Sequence, residues 1–305
     1  TAKNNIVAAI NEIHSWLGQL DNDFDAHQAE KATETKLGHV AVDGESIIAN
    51  DAGVIFAHPI IDDTQHKPQI AISTLFQMGT GGYGGNIYAI AADDNHVYVG
   101  GTTNQKVKKL NKSDLSKVAE SDYYGGDIWA LAQDNNYIYV GGALIRIVRK
   151  LNKSDLSQVA MSVSYTENIE AIAVDNNYVY VGAGTTVRKL NKSNLSQVAE
   201  SASYGGAIYA IATDNNYVYV GGVTTRTVKK LNKSNLSQVA ESASYGETIQ
   251  AIAVDDNYVY LGGRGAPQTV RKLNKSNLSQ VAESADYGGD ILALAQDDNY
   301  IYVGG

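Results

Sequence analysis

The chain of 305 residues contains no cysteine, so it has neither disulfide bonds nor thiolate metal sites, and any redox compartment suits it. It also lacks a long apolar run, because no stretch approaches the roughly 18 residues that a membrane-spanning helix needs. No segment of this sequence is predicted to be a signal peptide. The formal net charge is −9, which argues against a nucleic-acid or anionic-membrane partner, because both require basic patches. The first residue is Thr1 rather than Met, which predicts a fragment or a processed chain.

The sequence does contain one phrase that recurs about every 41 residues. It reads Asp-Asn-Asn-Tyr-Val-Tyr-Val-Gly-Gly, then a variable patch, then Val-Arg-Lys-Leu-Asn-Lys-Ser-Asn-Leu-Ser-Gln-Val-Ala-Glu-Ser. The tyrosine in its middle falls at Tyr98, Tyr139, Tyr180, Tyr219, Tyr260 and Tyr302. A fixed period of about 40 residues indicates an array of one supersecondary unit.

Each repeat is interpreted as four short antiparallel strands, a to d, as in residues 87–91, 217–220, 228–231 and 236–242. The a–b turn is Asp-Asn-Asn and the c–d turn is Asn-Lys-Ser, both good turn formers. Four such strands in about 40 residues are typical of a β-propeller blade. The sequence therefore predicts an all-β, six-bladed β-propeller of four-stranded blades over residues 69–305. Residues 69–78 would supply the missing c–d hairpin of the sixth blade, and a truncated seven-bladed ring is the alternative.

A heptad pattern precedes the repeats and predicts a coiled-coil stalk helix over residues 1–35. Its seam favours a homotrimer, because isoleucine and leucine at both seam positions shift the preference away from dimers. The seam consists of Ile6, Ile10, Ile13, Leu17, Leu20 and Phe24. The alternative is an amphipathic helix that packs on its own domain. Residues 36–58 are predicted to form a small β collar, with Asp43-Gly44 as a hairpin signal, and residues 59–68 a linker.

Variation among the copies locates the candidate site. In a four-stranded meander the a–b and c–d turns lie at one end, and these turns are nearly identical in every copy. The b–c and d–a segments lie at the other end and differ, as functional loops do on a uniform scaffold. Aromatic rings beside polar groups suit saccharides, so this face is predicted to bind a ligand. Its candidates are Tyr88, Trp129 and Tyr209 as aromatic platforms, Asn86, Asp127, Asn168, Glu170, Gln250 and Asp290 as hydrogen-bonding groups, and Arg146, Arg226 and Arg264.

Several readings compete with that site. The variable residue of Ile-x-Ala in strand a can instead pack between blades. Acidic turns such as Asp134-Asn-Asn are predicted to be turns rather than calcium sites, and the histidines lack metal-ligand spacing. No metal, cofactor or catalytic residue is therefore predicted.

The N-terminal phrase Thr1-Ala-Lys-Asn-Asn-Ile-Val-Ala-Ala-Ile-Asn-Glu-Ile resembles a segment common in bacteriophage tail fibres. The same holds for Leu37-Gly-His-Val-Ala-Val-Asp-Gly-Glu-Ser-Ile-Ile, followed by Asn50-Asp-Ala-Gly-Val-Ile; together they cover about 55 residues. The resemblance implies trimeric fibres on a virion tail tip that bind the host cell surface. No receptor residue can be carried over from it.

These observations predict a tail fibre, not an enzyme, that binds a host glycan or teichoic acid through its variable face. Its further partners would be other tail or baseplate proteins, bound through a part that precedes Thr1. A glycan-cleaving tail spike is one rival, with Asp127, Glu170 and Asp290 as candidate carboxylates, although near-identical blades offer no distinct acid–base pair. A bacterial protein-interaction propeller is another.

Overall fold

The structure is a computed structural model that describes residues 83–266, 268–297 and 299–305, together with three strands between residues 40 and 59. The chain divides into two compact units, Thr1–Gln69 and Ile70–Gly305. Across these described ranges, no helix has the length and apolarity that crossing a membrane requires.

The described part of the first unit is one antiparallel sheet with the strand order β1-β2-β3. Its strands are β1 (Val40–Val42), β2 (Glu45–Ala49) and β3 (Ile55–Pro59). They agree with the strands that the sequence places on either side of Asp43-Gly44. The predicted stalk helix over residues 1–35, its trimer seam and the linker after residue 59 lie outside the described residues.

In the second unit the described residues form five four-stranded sheets and one two-stranded sheet, numbered 1 to 6 along the chain. The a strands are β4 (Ile87–Ala92), β8 (Ile128–Gln133), β12 (Ile169–Val174), β16 (Ile208–Thr213), β20 (Ile249–Val254) and β24 (Ala293–Gln296). The b strands are β5 (His96–Gly101), β9 (Tyr137–Gly142), β13 (Tyr178–Ala183), β17 (Tyr217–Gly222), β21 (Tyr258–Gly263) and β25 (Ile301–Gly304). The c strands are β6 (Lys108–Asn111), β10 (Arg149–Asn152), β14 (Thr186–Asn191), β18 (Lys229–Asn232) and β22 (Arg271–Asn274). The d strands are β7 (Lys117–Glu120), β11 (Gln158–Met161), β15 (Gln197–Glu200), β19 (Gln238–Glu241) and β23 (Gln280–Glu283).

Within each sheet the strands pair antiparallel in sequence order, so every connection is a hairpin. The a strand of one sheet lies beside the a strand of the next, from β4 to β24, and the d strands lie at the opposite edge. The b strands are rich in valine and tyrosine, which fit a pleated surface, and they are buried on both faces because a neighbouring sheet covers each face. The d strands are exposed edges.

The apolar core lies between consecutive sheets. In the a strands β8, β12, β16 and β20 the first isoleucine packs onto a glycine in the b strand of the preceding sheet, as Ile249 does on Gly221. Ile249 is fully buried, and so are its counterparts Ile128, Ile169 and Ile208. A glycine at this place lets the two sheets approach closely, because a side chain there would occupy the space of the isoleucine.

The prediction of a closed six-bladed ring is wrong. Among the described residues five sheets are complete and sheet 6 has two strands. Residues 69–78, which were predicted to complete the sixth blade, lie outside the described residues. Among the described residues there is no helix, and no packing comparable to that between successive a strands joins β24 back to β4. The repeat is propeller-like, but it is an open array whose two ends differ from its middle. Ile87 of sheet 1 is only half-buried, whereas its counterparts inside the array are fully buried.

Because sheet 6 lies at an open end of the array, alanine should be tolerated at Gly304 but not at its counterpart Gly221. In Gly221→Ala the new Cβ would lie 2.6 Å from Ile249 Cγ2 and 2.9 Å from Ile252 Cδ1, so we expect a loss of about 1–3 kcal/mol in the free energy of unfolding. Gly304→Ala is the matched control, because the nearest atom to its new Cβ is Ala293 Cβ at 3.9 Å. Urea unfolding should show the control close to the parent protein. An equal loss in both variants would mean that a further sheet packs on sheet 6.

Candidate functional site

Each sheet has two ends at which its strands are connected, and these two ends differ in structure as well as in sequence. At one end, here the constant end, the c–d turn bonds to the a–b turn of its own sheet: Lys153 N donates to Asn136 O at 2.9 Å. At the other end, here the variable end, the b–c and d–a segments meet, and Tyr124 N donates to Gln105 O at 2.8 Å. Sequence variation is therefore concentrated at the variable end of the sheets.

A β-bulge near the start of each complete a strand positions the predicted platforms. In β12 the register shifts between Ile169 and Ala171, which leaves Glu170 as the extra residue, and the other four sheets repeat this shift. Bulges re-aim side chains and are common beside functional sites. Because the a strands are neighbours, the bulged residues form a row along the variable end. This bulge row consists of Tyr88, Trp129, Glu170, Tyr209 and Gln250.

The members of the bulge row differ from the residues that pack between sheets. Trp129 and Tyr209 are half-buried and Tyr88 is 53% exposed. None of the three aromatic rings belongs to the apolar clusters found among the described residues. The packing role belongs instead to the preceding isoleucine.

Glu170 has the most unusual electrostatics in the bulge row. Burial raises the pKa of its carboxyl to about 7, and no charged group offsets that effect. Its strand β12 lies between β8 and β16, so Trp129 and Tyr209 are the neighbouring members of the row. Near neutral pH this carboxyl is therefore divided between a protonated form, which donates a hydrogen bond, and an ionised form.

The predicted polar residues of the d–a segments are engaged with the loop of the preceding sheet. Gln105 Nε2 donates to Asp127 Oδ1 at 3.1 Å, and Arg146 Nε donates to Asn168 Oδ1 at 3.4 Å. Asp290 Oδ1 accepts from Gly265 N at 3.3 Å. These groups tie neighbouring sheets together. Gln105 was not singled out by the sequence, although its place in a variable b–c segment was the signal.

The remaining polar candidates, Asn86 and Gln250, belong to sheets 1 and 5. Asn86 is exposed in sheet 1, and its backbone N–H donates to Thr102 Oγ1 at 3.1 Å. The carboxamide of Gln250 is half-buried in the bulge row. Both sheets bring their candidates to the variable end, as the sequence predicts.

Two of the three predicted arginines donate hydrogen bonds to backbone carbonyls. Arg146 Nη1 donates to Thr166 O at 2.7 Å, and Arg226 Nη1 donates to Gly246 O at 2.6 Å. The side chain of Arg264 is 60% exposed, with its Nε 3.8 Å from Asp290 Oδ2. Arg264 is therefore the arginine of this set that is most open to a ligand.

At the constant end, the acidic turns form ion pairs between sheets. In sheet 3, Asp175 Oδ1 accepts from Asn177 N and Tyr178 N at 2.8 Å each, and Oδ2 accepts from the Tyr180 hydroxyl at 3.0 Å. Lys233 Nζ of sheet 4 lies 2.8 Å from the same Oδ2. Burial by itself raises the pKa of Asp175, but Lys233 and the two N–H groups outweigh it and hold this pKa below its usual range.

The same arrangement recurs in sheets 1, 2 and 4, where the aspartate of the a–b turn again pairs with a lysine of the following sheet. The further pairs between sheets are Lys153–Asp93, Lys192–Asp134 and Lys275–Asp214. In the part of the chain that the structure describes, no three histidine, aspartate or glutamate side chains are grouped so as to hold a metal ion.

Comparisons with known proteins support the fold alone. No family model and no curated protein matches the chain. Among solved structures, it is similar to the crystal structure of the computationally designed Ika8 protein, with a TM-score of 0.63 and 18% sequence identity. That match covers 92% of this chain and 81% of the Ika8 chain.

Proposed function

We propose that this protein is a binding protein that takes a cell-surface saccharide on its bulge row, as part of a phage tail fibre that attaches to its host. One observation carries the proposal: Trp129 and Tyr209 stand on either side of a carboxyl whose pKa is raised to about 7. Aromatic faces stack on the C–H faces of a sugar ring, and a few convergent polar groups then fix its orientation.

The N-terminal resemblance to phage tail fibres supports the choice of a cell-surface ligand. It comes from the phrases that begin at Thr1 and Leu37, which are separate in sequence from the repeats. Weak binding by each array is sufficient for attachment, because several copies on one particle raise the avidity about 10²–10⁴-fold. Teichoic acid is the other ligand of this class.

The test removes the aromatic faces. We expect the double variant Trp129→Ala/Tyr209→Ala to bind its best ligand on an array of bacterial glycans and teichoic acid fragments about tenfold to hundredfold more weakly. Loss of two stacking contacts at about 0.5–1.5 kcal/mol each gives a change of that order. Tyr300→Ala is the control, because Tyr300 is an exposed tyrosine at the constant end. Unchanged binding by the double variant would remove the bulge row from the site.

The raised pKa of Glu170 also favours a second candidate, glycan hydrolysis. A general acid in a glycosidase needs a carboxyl that is protonated near neutral pH, opposite a second carboxylate. Incubation of host polysaccharide with the protein distinguishes the two functions. New reducing ends that disappear in Glu170→Gln would indicate hydrolysis, whereas binding without new ends supports attachment.

A further inference from the structure

In the outer half of each complete sheet, a basic residue of the c strand lies over the ring of the tyrosine before the a strand. In the strand register it faces the last residue of the d strand, and in sheets 3 and 5 the two form an ion pair. In sheet 3, Arg188 Cζ lies 4.7 Å from the Tyr165 ring centroid, and Arg188 Nη2 lies 3.3 Å from Glu200 Oε1. In sheet 5, Arg271 Nε lies 3.1 Å from Glu283 Oε1. The last residue of the d strand therefore supplies a carboxylate to the basic residue in these two sheets.

Sheet 2 has the cation without the carboxylate. Arg149 Cζ lies 5.3 Å from the Tyr124 ring centroid, in the same stacked position. The residue that faces Arg149 in the strand register is Met161, where the other four sheets have glutamate. Arg149 Nη1 donates to Tyr123 O at 2.8 Å, but its Nε is buried and has no hydrogen-bond partner. A buried guanidinium N–H without an acceptor is costly, which favours an external acceptor.

A cleft opens beside this guanidinium. Its lining includes Ser121, Asp122, Tyr124, Arg149, Leu156 and Gln158. Beside it, Tyr123, Met161 and Val163 are exposed apolar side chains, with Met161 59% exposed. The site thus combines an unpaired guanidinium donor, polar side chains in the cleft and an exposed aromatic ring.

We propose that this cleft binds the carboxylate of an acidic saccharide, of the uronic-acid type, through Arg149. The carboxylate would take the place that Glu200 occupies beside Arg188, and a hydroxyl group would bond to Gln158. A planar carboxylate matches the planar guanidinium donors. The choice of a saccharide rests on the proposed function, whereas the carboxylate follows from the repeat itself.

The direct test is a titration with glucuronate, followed by ¹⁵N NMR of the arginine Nε resonances. We expect the Arg149 signal to shift saturably, with a Kd on the order of 1 mM for a single charged contact. Methyl glucoside, which is neutral, should give a much smaller shift. No saturable shift with glucuronate would overturn the proposal. Binding of N-acetylglutamate amide but not of glucuronate would replace the saccharide with an acidic peptide.

Two matched variants remove the site from sheet 2 and create a corresponding site in sheet 3. Met161→Glu restores the internal partner of Arg149, so it should abolish the glucuronate shift. Glu200→Met should create a second responsive arginine at Arg188. A full response that persists in Met161→Glu would also overturn the proposal. Trp129→Ala should leave the Arg149 shift unchanged, so failure of the bulge row and failure of this cleft are distinguishable.

Discussion

Asp175→Ala is expected to lower the free energy of unfolding by about 3–5 kcal/mol. The substitution leaves the Lys233 ammonium without its carboxylate and the fully buried Tyr180 without its acceptor. It also removes the acceptor of the two turn N–H groups, from Asn177 and Tyr178. The ion pair is well shielded, with side-chain exposures of 12% for Lys233 and 21% for Asp175. Urea unfolding at pH 7 measures the loss.

Asp255→Ala separates the cross-sheet ion pair from the turn itself. Asp255 accepts from Asn257 N, Tyr258 N and the Tyr260 hydroxyl in the same way, but in the described residues no lysine of a following sheet pairs with it. We therefore expect a smaller loss in this variant, and equal losses would show that the ion pair contributes nothing.

The pH dependence of the Asp175→Ala effect provides a second check. Because the folded pKa of Asp175 is lowered, its contribution is fully present above the unfolded pKa of about 4 and is lost as the pH falls through the folded value. The difference between the variant and the parent protein should therefore shrink only in acid. A difference that shrinks between pH 7 and pH 5 would contradict this account.

Glu170→Gln is expected to stabilise the protein at pH 8 by about 1–2 kcal/mol, because solvent screening of this partly exposed carboxyl reduces the effect. A pKa raised from 4.5 to about 7 means that the folded state binds the proton more tightly than the unfolded state, so stability falls as the pH rises across this interval. The penalty is absent well below pH 4.5 and complete above pH 7. A neutral amide escapes it, and Gln250 occupies the same place in sheet 5.

Chemical unfolding of parent and variant from pH 4 to pH 8 gives the measurement. The two curves should coincide near pH 4 and diverge through pH 7. Glu167→Gln is the control, because Glu167 is an exposed carboxylate three residues away whose loss should change stability by less than about 0.5 kcal/mol. Parallel curves for Glu170→Gln and the parent protein would show that burial does not perturb this group.

The strand pattern was predictable from the sequence because it depends on local information. Alternating valine and tyrosine, separated by Asp-Asn-Asn and Asn-Lys-Ser turns, specifies four short strands in each repeat, and the structure contains these strands in five copies. The meander also placed the candidate residues at one end, since hairpin connections alternate between the two ends of a sheet.

Ring closure was predicted wrongly because it depends on how the faces at the two ends of the array are covered. The repeat specifies an isoleucine-on-glycine contact between neighbours, but it does not specify a neighbour for the first isoleucine or the last glycine. In the structure Ile87 stays half-buried, and among the described residues a Cβ at Gly304 would meet Ala293 alone, at 3.9 Å.

The candidate site was predictable in location but not in chemistry. Whether Arg146 faces a ligand or the Thr166 carbonyl depends on the distance between loops of adjacent sheets, which no local pattern contains. The unpaired Arg149 was detectable, because alignment of the copies shows Met161 where the others have glutamate. Only the strand register showed that these two residues face each other.

The sequence by itself determined the repeated unit, its strands and turns, and the end at which its copies differ, because all of these follow from short-range periodicity and turn chemistry. The tertiary structure decided that the array is open, that Asp127 and Asn168 bind neighbouring loops, and that Glu170 holds its proton near neutral pH. Those properties arise where separate sheets meet, since burial and partner distance are set by packing between sheets rather than by the order of residues within one.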